Sequence, residues 1–84
     1  MNEPLNGYAV QLGSYTEIAN AERHVTALQG KGFNSLFVMP QQRADGSVVN
    51  RVLVAPFESI RQAEDYLRDL RDYHQIEGLI VRLR

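Results

Sequence analysis

Gly13-Ser14-Tyr15-Thr16-Glu17-Ile18-Ala19-Asn20-Ala21-Glu22 lies over Ala55-Pro56-Phe57-Glu58-Ser59-Ile60-Arg61-Gln62-Ala63-Glu64 when the 84-residue chain is set against itself at half its length. An aromatic residue, an isoleucine, an alanine and a glutamate recur in place: Tyr15 over Phe57, Ile18 over Ile60, Ala21 over Ala63, Glu22 over Glu64. Upstream, Val10 and Leu12 lie over Val52 and Val54; downstream, Val25 and Leu28 lie over Leu67 and Leu70. The matches are few, but they fall where structure is made, so one structural unit is used twice.

Each half predicts a strand, a helix and a second strand. In Tyr8 to Leu12, Tyr8, Val10 and Leu12 point one way and Ala9 and Gln11 the other. Asn50 to Ala55 alternates likewise, with Val52 and Val54 opposed to Arg51 and Leu53. Period-two alternation marks a half-buried strand. The apolar stripes Ile18, Ala21, Val25, Leu28 and Ile60, Ala63, Leu67, Leu70 then give each helix one narrow buried face. Thr16 or Glu17 begins the first helix, and Gly30 and Gly32 stop it. Ser59 caps the second, with Gln62 at capping-box spacing. The closing strands are Ser35 to Met39, ended by Pro40, and Leu79 to Leu83. Gln41 to Ser47, containing Asp45-Gly46, is a turn-rich connection. The predicted fold class is α+β: a ferredoxin-like βαββαβ arrangement, a four-stranded antiparallel sheet with both helices on one face.

Length and composition bound the rest. One domain is expected, over residues 7–84, with residues 1–6 as a linker or tail cut from a longer chain. A domain of this size buries only about 60–65% of its unfolded surface. The 44% apolar and 23% charged composition argues against disorder. A net charge of −1, with no basic stripe, disfavours nucleic acid and membrane surfaces as partners. The absence of cysteine excludes disulfides and thiolate metal sites. No apolar run approaches the roughly 20 residues that span a bilayer, and no signal peptide is visible.

If Val10, Leu12, Val52 and Val54 meet the helices, then Gln11, Arg51 and Leu53 face the open side of the sheet. Leu36 and Val38, or else Phe37, join them. An amide that donates and accepts, beside a guanidinium with five donors, suits a polar polymer of hydroxyls and acetamido groups. The same residues also suit an ordinary solvated sheet face. Ser14 either caps the first helix or bonds a ligand lying across Gln11. Tyr15 and Phe57 read as packing residues at the strand–helix corners, and Tyr8, Tyr66 and Tyr73 as amphipathic packing residues.

The charge run Arg61, Glu64, Asp65, Arg68, Asp69, Arg71, Asp72 reads as a solvated helix face, with Glu64–Arg68 and Arg68–Asp72 at i, i+4 spacing. His24 and His74 are isolated from each other and from carboxylates at ligand spacing, so no metal site is expected. No catalytic constellation or phosphate loop emerges, so an enzyme and a cofactor are not expected. Sheets of this topology that bind RNA stack bases on aromatics, and Gln11, Arg51 and Leu53 supply none.

Tyr8-Ala9-Val10-Gln11-Leu12-Gly13-Ser14-Tyr15 resembles the opening strand of SPOR domains, which reads aromatic-x-Val-Gln-x-Gly-Ser-Phe. Ala21-Glu22 and Ala63-Glu64 are similar to that family's Ala-Glu pairs, and Gly32-Phe33 to its step into the second strand. Arg51-Val52-Leu53-Val54-Ala55-Pro56-Phe57 resembles its Arg-Val-x-Val-Gly-Pro-Phe, departing at Ala55. The resemblance implies the same fold and binding, without catalysis, to peptidoglycan glycan strands denuded of stem peptides, on the open sheet face. It further implies a periplasmic or other extracytoplasmic, septal location, targeting of a parent protein to division or remodelling sites, and division or cell-wall remodelling proteins as partners. Carried over by position, Gln11, Ser14 and Arg51 are the glycan contacts, followed by Asn50 and Tyr15. A ligand of low charge implies binding that salt hardly alters, to a monomer. The alternative is a protein-interaction or small-ligand regulatory domain of the same topology, marked by a ligand-dependent dimer.

Overall fold

Alternation at Tyr8–Leu12 does start a strand, but the strand does not stop there. In the computed structural model, which describes residues 7–83, β1 runs Tyr8–Tyr15. The expected linker or tail at residues 1–6 lies outside the described residues. The remaining elements follow in the expected order: α1 (Ile18–Gly30), β2 (Leu36–Gln42), β3 (Val48–Phe57), α2 (Ile60–His74) and β4 (Leu79–Arg82). They form one antiparallel sheet in the order β2-β3-β1-β4, so the two strands of the internal repeat are central.

The other strands also differ from their sequence-based limits: β3 extends beyond Asn50 to Ala55 by two residues at each end, and β4 stops at Arg82. β2 continues through Pro40 to Gln42. It is an edge strand, where a residue without an N–H is tolerated. The connection shortens accordingly to a tight turn. Arg43 N donates to Ser47 O at 2.7 Å, Gly46 takes φ +90°, and Ser47 N and Oγ both donate to Asp45 Oδ1. These two bonds hold the Asp45 carboxyl below its ordinary pKa.

The helix ends are chemically explicit. Glu17 is the N-cap of α1. At its C-terminus Phe33 N donates to Leu28 O and Gly32 N to Gln29 O, with Gly32 at φ +95°. That is a Schellman closure, which favours glycine at this one left-handed position, and Phe33 packs in the same apolar cluster as Leu28. Gly30 is simply the last helical residue. Ser59 accepts from Gln62 N at 3.2 Å to cap α2, while Gln62 Oε1 reaches back to Glu58 N rather than to Ser59 N.

One core lies between the sheet and the helices. Val10 packs with Ala63 and Leu70 of α2, and Val52 with Ala21 and Leu28 of α1. The first residue of each apolar stripe departs from the expectation. Ile18 is 55% and Ile60 50% exposed, because each opens its helix at the rim of the core. A second apolar cluster, which the alternation did not reveal, lies on the face opposite α1 and α2. Ala9, Leu53 and Ala55 are buried there, with Phe37, Met39, Val81 and Leu83 packed against them. On the outer face of α2, Arg68 pairs with Asp65 and Asp69, and Arg71 with Asp72, in place of the expected i, i+4 pairs. All five side chains are more than half exposed, so these pairs add little stability.

Candidate functional site

Strict alternation along β1 would place Ser14 with Tyr8, Val10 and Leu12, against the helices. The strand register prevents this. Gln11 pairs with Leu53 and Gly13 with Val52, so Leu12 is an extra residue with no partner on β3. Such a bulge reverses the alternation beyond it. Leu12 and Gly13 both face the helices. A Cβ on Gly13 would stand 2.9 Å from His24 Nδ1, on α1, and 3.0 Å from Tyr15 Cε2. Ser14 is therefore turned to the open face, where it is exposed and opposite Arg51.

The open face is laid out in rows across the strands. Phe37, Leu53, Gln11 and Leu79 pair in sequence from β2 to β4. The next row is Met39, Arg51 and Ser14. Side chains directly opposite on one face stand about 5 Å apart, so Gln11, Ser14 and Arg51 form one polar cluster beside the apolar patch centred on Leu53. Gln11 and Arg51 are half-buried. Arg51 Nη2 donates to Met39 Sδ at 3.5 Å, and Arg51 Nε is buried with no hydrogen-bond partner among the described residues.

Tyr15 and Asn50 do not join this cluster. They pair with each other across β1 and β3 and point to the helix side, because each is one residue out of step with Ser14 and Arg51. Asn50 is buried and its Nδ2 donates to Tyr15 O at 3.3 Å. The Tyr15 hydroxyl lies 3.0 Å from His24 Nδ1, with the rings edge to face at 5.7 Å. Burial, and secondarily Lys31, lowers the His24 pKa below its ordinary value. Both residues thus brace the end of β1 that presents Ser14. Ser14 itself is not the cap of α1, a position held by Glu17.

Other elements add walls that alternation could not assign. β2 turns Phe37 and Met39 to the open face and Leu36 and Val38 to the helices. Leu79 is 63% exposed beside Gln11. A shallow groove of about 250 Å³ runs between Gln11–Gly13 and Glu77–Leu79. Gly78 permits this close approach, since a Cβ there would lie 2.9 Å from Gln11 O. β4 is apolar at nearly every position, so its pattern carries no facing signal; only the register identifies Leu79. The described residues contain no cluster of histidines and carboxylates able to hold a metal ion, and no helix long and apolar enough to cross a membrane.

The same architecture occurs in a solved structure, the SPOR domain of RlpA from Pseudomonas aeruginosa. The two superpose with a TM-score of 0.66 over 90% of this chain and 99% of that one, at 21% identity, a likeness that speaks to the fold. No curated protein matches the chain significantly. The SPOR domain family model matches residues 4–82, spanning both copies of the repeat, both helices and the whole open face. With its order of strands, its Gln-x-Gly-Ser bulge and that match along almost its full length, the chain belongs to the SPOR domain family.

Proposed function

We propose that this chain is a non-catalytic peptidoglycan-binding module that recognises glycan strands denuded of stem peptides on the open face of its sheet. It acts in the cell envelope as a monomer and directs a parent protein to septal or remodelling sites, where amidases have removed the peptides. Membership of the SPOR family supports peptidoglycan as the polymer. The observation that carries the reading to particular residues is the bulge at Leu12, which brings Ser14 onto the same face as Gln11 and Arg51.

The chemistry of that face suits an amino sugar polymer. Gln11 can donate to a ring hydroxyl and accept from an acetamido N–H. Ser14 supplies a rotating hydroxyl, and Arg51 supplies directed donors. Leu79, Met39 and Phe37 offer apolar surface to the carbon faces of the sugars. The contact is shallow and side-chain based, and bulky peptide stems along the strand would hold it off the sheet.

Retention on amidase-treated and untreated sacculi tests the proposal. The chain should sediment with treated sacculi and only weakly with untreated ones. Equal retention on both would remove the specificity for denuded strands, and retention on neither would remove peptidoglycan binding altogether. Green-fluorescent fusions exported to the periplasm should gather at the division site; an even envelope distribution would argue against septal targeting.

A further inference from the structure

Arg51 stands out among the charged groups of the molecule. The ion pairs of the described residues all lie on α2, between Arg68 or Arg71 and aspartates next to them in sequence or one turn away, and none reaches Arg51. Its guanidinium instead meets Met39 Sδ, a weak acceptor, while its Nε is buried and makes no hydrogen bond among the described residues. A buried cationic N–H without an acceptor is costly. Arg51 stands between Met39 and Ser14 in the row that crosses the open face.

The fork of a guanidinium matches a carboxylate in geometry and charge. Apolar neighbours, Leu53 and Met39, exclude water and strengthen an ion pair formed beside them. The exposed Ser14 hydroxyl, directly opposite, offers a second donor to the same anion. The face is therefore arranged for a ligand that brings one negative charge to Arg51.

We propose that Arg51 recognises the lactyl carboxylate that stem-peptide removal uncovers on N-acetylmuramic acid. The inference rests on the glycan reading above. In an intact strand this carbon is tied in an amide to the first residue of the stem and is neutral. Hydrolysis of that amide leaves a carboxylate, ionised at neutral pH, at each denuded sugar. The strand is then selected by a charge it gains as well as by the bulk it loses. Binding carries a salt dependence, in contrast to the expectation from the sequence that salt hardly alters it.

The test varies the ligand so that the protein's fold is untouched. A tetrasaccharide of alternating N-acetylglucosamine and N-acetylmuramic acid is prepared with free lactyl carboxylates, and again with those groups as primary carboxamides, which are neutral and equally small. By calorimetry the wild-type chain should bind the carboxylate form about tenfold more tightly, the difference of one charge-assisted contact. Arg51→Gln should bind the two forms alike, and Arg51→Lys should keep part of the preference. Equal affinity of the wild-type chain for both forms, or a preference that persists in Arg51→Gln, would overturn the role of charge while leaving glycan binding intact. Binding of neither form would overturn the glycan reading and this inference together.

Discussion

Ser14 faces Arg51 across the two central strands, and it does so only because Leu12 is an unpaired residue two positions before it. The site is thus a product of a backbone irregularity. Gly13 lies at its centre, pressed against α1 with no room for a side chain. Gly13→Ala should force its methyl into the Tyr15–His24 pair. We expect a loss of about 1–2 kcal/mol, which for a domain of this size is a fall in thermal midpoint of roughly 5–15 °C. In a His24→Ala background the penalty should shrink, because the ring nearest to the new methyl is gone. Equal penalties in both backgrounds, by thermal melts, would show that the bulge is not wedged by His24.

The half-buried state of Gln11 and Arg51 modifies what their removal should do. Gln11→Ala should leave stability nearly unchanged and weaken retention on denuded sacculi about tenfold, the loss of one or two hydrogen bonds to the ligand. Arg51→Ala should also cost up to about 1 kcal/mol in stability, because its stem covers apolar surface. The double substitution should abolish retention while the chain still melts cooperatively. Retention at the wild-type level would place the binding face elsewhere.

Stability should respond to pH through His24. Burial lowers its pKa in the folded chain relative to the ordinary value near 6.5. The unfolded chain then binds the proton first. Stability is at its full value above about pH 6.5 and falls as the pH drops from there toward the lower folded value. Urea unfolding from pH 7.5 to 5.0 should show this slope, and His24→Gln should flatten it relative to wild type. An unchanged slope in the variant would assign the effect to other groups.

Much of this was legible in the sequence. The internal repeat placed both helices and both central strands, since a period of two followed by a period of 3.6 is imposed by burial and was present in each half. Gln11 and Arg51 followed from that alternation alone. Ser14 did not: a bulge is set by how two strands pair, and nothing local to Leu12 announces it. The facing of β2 was open for a related reason. Leu36, Phe37, Val38 and Met39 are all apolar, because this strand packs the core on one side and the second cluster on the other. Asn50 and Tyr15 lay next to the site in sequence and on the other side of the sheet in space.

The two leucines flanking Gln11 in its row offer the sharpest separation of folding from binding. Leu53 is fully buried although it lies on the face opposite α1 and α2, enclosed by Ala9, Ala55, Phe37, Met39, Val81 and Leu83. Leu79, on the other side of Gln11, is 63% exposed. Leu53→Ala should therefore cost about 2–4 kcal/mol, the range for a buried leucine whose surroundings relax only in part. Leu79→Ala should change stability by no more than about 0.5 kcal/mol, yet weaken retention on denuded sacculi severalfold, by taking apolar surface from beside the Gln11 amide. Urea midpoints and sacculus retention of the two variants decide the matter together. A stable Leu53→Ala variant would mean that the open face has no core of its own. Unaltered binding in Leu79→Ala would end the ligand's footprint at β1 and leave β4 as structure alone.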